Sequence, residues 1–366
     1  MQAGLMNTYQ SPAQNRSALA WCLSALLIVA YLLLYLGPIP RLGLRIDVFQ
    51  QGAEALGLKS KWTFYGLLYT LAMIVGGIYF LRKHGRNSPY QRVRTVVVVL
   101  VQIVFGFSVP LVMTVFGKHE HYFSYFWPLK IEYLYPSTIV QQPFLILFYS
   151  VLGSLVAFPL LAYFLGKRFY CSWICGCGGL ANTIGDPFRQ HSSKSATSWR
   201  IEQMSVHSVL LLALVTTAIV WVNWAIGRKH PEFARIAFQV QDWYGFLIGA
   251  MFAGVIGVGL YPLMGTRVWC RFGCPMAALL GLVQKLGRFR ITVKKDMCIS
   301  CGNCSTYCEM GIDVRQYAMA NQDFTRAACV GCGMCAQVCP RGVLKLENRR
   351  GRFKAGEPIR VYAVDL

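Results

Sequence analysis

Two cysteine runs near the C-terminus carry the densest chemistry in the sequence. The first reads Cys298-Ile-Ser-Cys301-Gly-Asn-Cys304-Ser-Thr-Tyr-Cys308, and the second Cys329-Val-Gly-Cys332-Gly-Met-Cys335-Ala-Gln-Val-Cys339-Pro340. Both follow C-x2-C-x2-C-x3-C, the spacing by which thiolates hold two [4Fe–4S] cubanes. Three thiolates at x2 spacing wrap a tight loop around three irons. Gly302 and Gly333 let the backbone turn through positive φ beside the cluster. The last cysteine of each run is expected to start a helix, point away and serve the other cluster. The expected sets are Cys298, Cys301, Cys304 and Cys339 for one cluster, and Cys329, Cys332, Cys335 and Cys308 for the other. Zinc competes for clustered thiolates, but its sites use pairs of C-x2-C or added histidines, not two matching runs of four. Glu309 stands where the first run would carry proline, beside a ligand whose cluster potential its charge would lower.

A second cysteine set lies upstream in a weak repeat. Gly166-Lys-Arg-Phe-Tyr-Cys171-Ser-Trp-Ile-Cys175 and Gly265-Thr-Arg-Val-Trp-Cys270-Arg-Phe-Gly-Cys274-Pro275 share the pattern Gly-x-Arg-apolar-aromatic-Cys-x3-Cys. If helical, x3 spacing puts both thiols of a pair on one face. Each unit follows an apolar run that ends on the same side, so the four thiols are expected to converge at one membrane face. Tyr170, Trp173, Trp269 and Phe272 would shield a third metal centre there: a cubane, a binuclear cluster or a single iron. Cysteines that merely pack rarely recur in duplicated register. Cys177 adds a fifth thiol, either a substitute ligand or a bystander, and Cys22, alone in the first apolar run, is expected in the core.

These sites need elements to position them. Of the 366 residues, 55% are apolar and only 14% charged, against about 25% charged in soluble domains, so lipid is the expected solvent. Six apolar stretches approach the ~20 residues that cross a bilayer: Ala18–Leu36, Thr63–Leu81, Thr95–Phe116, Phe144–Gly166, Val206–Ile226 and Tyr244–Met264. The expected fold is an α-helical membrane bundle of about six transmembrane helices, followed by a C-terminal ferredoxin-like α+β domain binding two [4Fe–4S] clusters. The expected division is 1–264 for the bundle, with a cytoplasmic Cys-x3-Cys loop at 166–204. A membrane-face segment at 265–290, the twin-cluster domain at 291–346 and a tail at 347–366 complete it.

Lys and Arg set the orientation. Arg82, Lys83, Arg86, Arg92 and Arg94 fill one short loop, and Lys167, Arg168, Arg189, Lys194 and Arg200 another two spans later. Lys118 and Lys130 face Glu120 and Glu132 in an aromatic-rich segment that suits the outer interface. Arg41, Arg45, Lys59 and Lys61, with Arg228, Lys229 and Arg235, mildly oppose this assignment. The N-terminus and the cysteine-rich domain are thus expected in the cytoplasm of a bacterium, with the bundle in its inner membrane and no cleavable signal peptide. The net charge of +21 suits a lipid surface or an acidic redox partner, and no module that reads nucleic acid is present. Fourteen cysteines, all but Cys22 in ligand-like clusters, exclude a secreted disulfide framework and imply a reducing compartment.

Other redox cofactors find little support. No C-x-x-C-H attaches haem, and only His207 lies in a span. A quinone is a further candidate. His119 and His121 flank Glu120, and the stretch Tyr122 to Gln142 offers Tyr133, Tyr135, Ser137, Thr138 and Gln141. Asp186, Pro187 and Arg189 are expected to form a structured loop packed on the twin-cluster domain. Acids within the spans are too scarce for a proton pump.

In combination these features resemble the membrane polyferredoxin family related to the H subunit of periplasmic nitrate reductase systems. The nitrous-oxide reductase maturation protein R and the cbb3-oxidase accessory protein G are relatives. The resemblance covers roughly 166–346. Cys270, Cys274 and Pro275 match the family motif fully, whereas Gly176 replaces the proline after Cys171 and Cys175, and Cys177 is extra. There is no threonine motif for covalent flavin, which speaks against the R protein. The resemblance implies electron transfer between a cytoplasmic-side donor or acceptor and a membrane quinone or other redox subunits. The alternative is an assembly factor reducing a metal such as copper, and a third is a structural subunit of a respiratory complex.

Overall fold

A computed structural model describes residues 17–37, 47–86, 88–117, 120–227 and 230–348. The tail from 349, together with Arg41, Arg45, Lys118, His119, Arg228 and Lys229, lies outside them. Among the described residues, five helices are long and apolar enough to cross a membrane: α1 (Ala18–Leu36), α2 (Lys61–Gly85), α3 (Pro89–Val115), α4 (Phe144–Leu165) and α7 (Ala196–Ile226). Between the last two lie the short α5 (Arg168–Cys171) and α6 (Gly176–Asn182). Side-chain oxygens of Ser17, Ser60, Ser88 and Ser195 accept from the first free N–H groups of the α1, α2, α3 and α7 helices. The outer faces carry large apolar side chains that water does not favour, with Phe144 and Leu145 74% and 78% exposed. Cys22 also faces outward, not into the core. It sits on a helix whose mostly apolar circumference leaves lipid as its natural neighbour.

The prolines inside spans come with a local change of winding. Pro110 follows the π-helical segment Gln102–Ser108, and Pro159 follows Gly153–Ala157. A wider turn accommodates the ring and the missing N–H without ending the helix.

Two sequence expectations change. The α7 helix begins at Ala196, ten residues before the apolar run, because Ser195 caps it and Glu202 is held by Arg271 at 2.6 Å. The sixth apolar run is not a regular span. The helix α8 (Pro231–Tyr244) passes into π-helical Gly245–Ile256, a turn, and a short helix at Tyr261–Met264. Glycine costs a helix about 1 kcal/mol each relative to alanine, and this run holds Gly245, Gly249, Gly254, Gly257 and Gly259. Close packing repays part of that loss. A Cβ on Gly254 would strike Tyr35 of α1, and one on Gly257 would lie 2.9 Å from Trp269.

The chain then forms α9 (Val268–Phe272) and α10 (Pro275–Leu286). The C-terminal module hangs from α10. Strands β1 (Phe289–Val293) and β2 (Leu344–Asn348) pair antiparallel, with Ile291 opposite Leu346. Both cysteine runs lie between them, joined by short helices. One buried cluster runs from Phe289 and Ile291 through the ferredoxin cysteines to Cys171, Cys175, Cys270 and Cys274. The module and the membrane-face loops therefore share a single core.

Candidate iron–sulfur sites

Each C-terminal run folds the same way locally. Gly302 (φ 81°) and Gly333 (φ 79°) adopt the left-handed conformation that their positions require. Each then starts a one-turn helix, Asn303–Thr306 or Met334–Gln337, carrying the third cysteine. Cys308 and Cys339 follow these helices; neither starts one as the spacing had suggested. The short helix reverses the chain and sends the fourth cysteine toward the opposite run.

Two cavities result. One is lined by Cys298, Cys301, Cys304 and Cys339, with Arg315 and Pro340 at its wall. The other is lined by Cys308, Cys329, Cys332 and Cys335, with Glu309 and Met310. Backbone N–H groups donate to sulfur in both: Val343 to Cys339 Sγ at 3.3 Å, and Ile312 to Cys308 and Gly331 to Cys329 at 3.4 Å. Such donors neutralise part of the negative charge of a thiolate cluster. Burial pushes the thiols of Cys304 and Cys329 up to about 12, so they need a bound cation to persist as thiolates. Among the described residues, no three His, Cys, Asp or Glu side chains converge on a single-ion site. A lone tetrahedral ion with bonds of about 2.3 Å needs sulfurs about 3.8 Å apart. A [4Fe–4S] cluster instead spreads its four cysteine ligands over separate irons.

The two cavities differ in setting. Cys301 in the first is exposed. The second rests on the bundle. Tyr90 Oη donates to Gly331 O and Gln91 Nε2 to Cys332 O, each at 2.8 Å, and Arg94 Nη1 to Cys332 O at 3.2 Å. Ser172 Oγ reaches Val330 O at 2.7 Å, and Gln284 Nε2 reaches Cys329 O at 3.0 Å. Sequence reasoning missed all five of these contacts, since polar residues at helix ends look like solvent-facing ones.

The upstream thiols are brought together. Cys171, Cys175, Cys270 and Cys274 are all buried. They are not paired along one helix: Cys171 ends α5 and Cys175 precedes α6, and the same break separates Cys270 from Cys274. Gly166 (φ 78°) and Gly265 (φ 91°) start the two copies with the same positive φ. Cys175 and Cys274 occupy the N-cap positions of α6 and α10, and Cys274 Sγ accepts from Ala277 N at 3.4 Å. Burial, followed by the charges around them, places the thiols of Cys171 and Cys270 at about 11. Cys177 lies half-buried, and its thiol beside Cys175, with burial, pushes the Cys175 thiol well up. Tyr170 and Trp269 are buried against this set, while Trp173 and Phe272 are only partly covered.

A buried charge network joins the upstream set to the second cavity. Arg267 Nη1 donates to Cys270 Sγ at 3.6 Å and to Cys171 O at 3.2 Å, while its Nη2 meets Glu309 Oε1 at 3.0 Å. Arg189 Nη1 pairs with Glu309 Oε2 at 2.8 Å and reaches Cys332 Sγ at 3.8 Å, and its Nε meets Asp186 Oδ1 at 3.1 Å. Burial works to raise the Glu309 carboxyl, but Arg189, Arg267 and Arg94 outweigh it and hold the group below its ordinary value. The Asp186–Arg189 loop thus packs on the module as its sequence suggested, whereas Arg267 gave no signal beyond its place in the repeat.

The expected quinone stretch is mostly committed to packing. Tyr133 Oη accepts from Tyr122 N at 2.9 Å, and His121 stacks on the Tyr133 ring at 4.4 Å. Burial, with Lys130 nearby, pushes His121 down to about 4. A different group of polar side chains meets the first membrane-face loop. A Cβ on Gly176 would lie 2.5 Å from Tyr69 Oη and 2.8 Å from both Tyr125 Oη and Gln102 Oε1. Tyr69 Oη makes no hydrogen bond among the described residues.

Fold and sites together define an iron–sulfur protein of ferredoxin type built on membrane-length helices. Comparison with known families agrees. Residues 290–340 match a 4Fe-4S dicluster domain. A 4Fe-4S binding domain matches twice, over 147–195 and 245–294, one match on each copy of the upstream repeat. Among curated proteins, the chain is 30% identical over 44% of its length to YccM of Escherichia coli (strain K12), a candidate electron transport protein. It is 28% identical over 40% of its length to the methylamine utilization ferredoxin-type protein MauN of Methylobacillus flagellatus. MauN of Paracoccus denitrificans is 26% identical over 46% of the chain. The matches span about half the length of these relatives: 46%, 50% and 61% in turn. No solved structure matches the chain.

Proposed function

We propose that the chain is a membrane-bound electron-transfer protein with three iron–sulfur sites, passing electrons between a cytoplasmic-side carrier and a membrane quinone or partner redox subunit. Cys298, Cys301, Cys304 and Cys339 hold one [4Fe–4S] cluster, and Cys329, Cys332, Cys335 and Cys308 the other. Cys171, Cys175, Cys270 and Cys274 hold the third centre, with Cys177 beside it. Bound there, the clusters supply one-electron transfer.

The observation that carries this reading is the gradient of exposure across the three cysteine sets. Cys301 is open to solvent, the second cavity sits against α3, and the upstream set is buried where the membrane helices end. Exposed Cys301 with Arg315 and Arg341 nearby offers a positive docking edge to an acidic carrier. Tyr69, Tyr125 and Gln102 place polar groups beside the upstream set on the side facing the bundle, where a quinone head group needs hydrogen bonds. The module and the Arg82 to Arg94 segment face the cytoplasm of a bacterial inner membrane, and α8 with its π-helical continuation serves as a sixth crossing.

The test is iron and acid-labile sulfide per chain on protein purified without oxygen, followed by quinone-analogue reduction with a low-potential donor. The reading expects more iron than the about eight that two cubanes supply, and quinone reduction. Eight irons alone would remove the third centre. Reduction of cupric ion without quinone reduction would favour the assembly-factor role instead.

A further inference from the structure

The two C-terminal runs differ at the residue after their fourth cysteine. In the second run it is Pro340, exposed and uncharged. In the first it is Glu309, with a side chain 0% exposed. Burying a carboxylate costs several kcal/mol unless it is well paired, and the opposite run shows that proline fits the same turn. The charge therefore calls for a reason beyond the turn itself.

Glu309 meets two arginines as buried as itself, and each of these reaches a cysteine sulfur in a different site. Arg267 contacts Cys270 Sγ, and Arg189 contacts Cys332 Sγ. An extended side chain has many rotamers, so a guanidinium stays on its sulfur only with fixed partners. Glu309 meets both, one oxygen to each: Arg267 through the nitrogen that the sulfur leaves free, and Arg189 through the nitrogen that also faces Cys332, with Asp186 steadying its Nε. Its own backbone is fixed in turn, with Glu309 O accepting from Ser192 Oγ at 2.6 Å.

We propose that Glu309 is a positioning residue that holds Arg267 on the Cys270 sulfur and Arg189 on the Cys332 sulfur, so that one buried carboxylate sets the reduction potentials of two sites together. The inference rests on the third centre proposed above. Hydrogen bonds to ligand sulfur and nearby charge are the protein's main controls over cluster potential. The carboxylate opposes electron addition at both sites, and the guanidiniums it holds favour it. The first cavity, on the far side of the module, lies outside this arrangement.

The experiment is an anaerobic redox titration followed by electron paramagnetic resonance, on the full-length protein and its Glu309→Gln variant in detergent or nanodiscs. The amide keeps the shape and removes the charge. With one acceptor oxygen left for two arginines, potentials of the upstream site and the second ferredoxin site should both shift, each by at least a tenfold change in the reduction equilibrium, or 59 mV for one electron. The first ferredoxin site should hold still, and Glu309→Asp should restore much of both shifts. A shift at the second site alone would reduce Glu309 to a local charge and overturn the proposal; so would no shift, or an equal shift at all three sites. If Glu309→Gln does not assemble, Arg267→Lys keeps the charge but loses the fork. It should move the upstream potential and leave the second site unchanged, and an unmoved upstream potential would again overturn the proposal. Wild-type protein with only two redox transitions would sink the third centre itself, whereas three wild-type transitions with an unresponsive variant would sink the Glu309 inference alone.

Discussion

The two ferredoxin cavities arise from runs of identical spacing, yet they live in different surroundings. The first is enclosed by its own module and leaves Cys301 at the surface. The second is lined by the module as well, but the carbonyls of its 329–332 loop are held from the bundle side, by Tyr90, Gln91 and Arg94 of α3, Ser172 beyond α5 and Gln284 of α10. Spacing fixes which atoms meet iron; the neighbours fix what the iron senses. A module that is self-contained on one side and braced on the other leaves one site open to solvent and holds the other against the helices.

The comparison breaks most severely at a ligand. Cys332→Ala should remove one cubane, about half of the eight irons of the ferredoxin module, and leave the first site's spectrum intact. A variant that retained both cubane signals would undo the proposed ligand sets. Arg94→Leu should come next. Arg94 is fully buried and bonds both Asn182 Oδ1 and Cys332 O, and such charge-assisted bonds contribute about 1.5–3 kcal/mol each. Its loss should lower the thermal midpoint and release iron from the second site first, as chelator-release kinetics would report. Equal release from both sites would argue against a braced second cavity.

The smallest contrast lies in two glycines of nearly identical φ. A Cβ on Gly333 would sit 2.9 Å from Tyr90 Cε1, whereas nothing lies within 4 Å of one on Gly302. Gly302→Ala should therefore cost only the left-handed strain of about 1–2 kcal/mol. Gly333→Ala should cost more, because Tyr90 must also move. Denaturation midpoints of the two variants, measured side by side, test that order.

The sequence was most legible where chemistry imposes spacing. The two runs, the positive-φ glycines and the duplicated Cys-x3-Cys units were all readable, because a metal cluster tolerates few arrangements of its ligands. It was least legible where charge is buried. Arg94, Lys167 and Arg189 counted as loop cations in setting the orientation, yet each is at most 1% exposed and engaged with the protein interior. A hydropathy pattern cannot tell an arginine in water from one buried against Asn182 and a carbonyl. The α7 helix extends past its apolar run for a related reason: Glu202 is polar in sequence but neutralised by Arg271 in the fold. The glycine-rich sixth run shows the reverse failure, with apolar composition sufficient for a span and backbone chemistry that favours a looser winding.

The antiparallel pairing of β1 and β2 has one more consequence. Phe289 lies opposite Asn348, so the chain enters and leaves the twin-cluster module at the same point. That seam is not the module's sole tie to its host, since its buried cluster continues into the loops that carry Cys171, Cys175, Cys270 and Cys274. A disturbance at the seam would therefore be felt at the upstream thiols as well as at the two C-terminal runs.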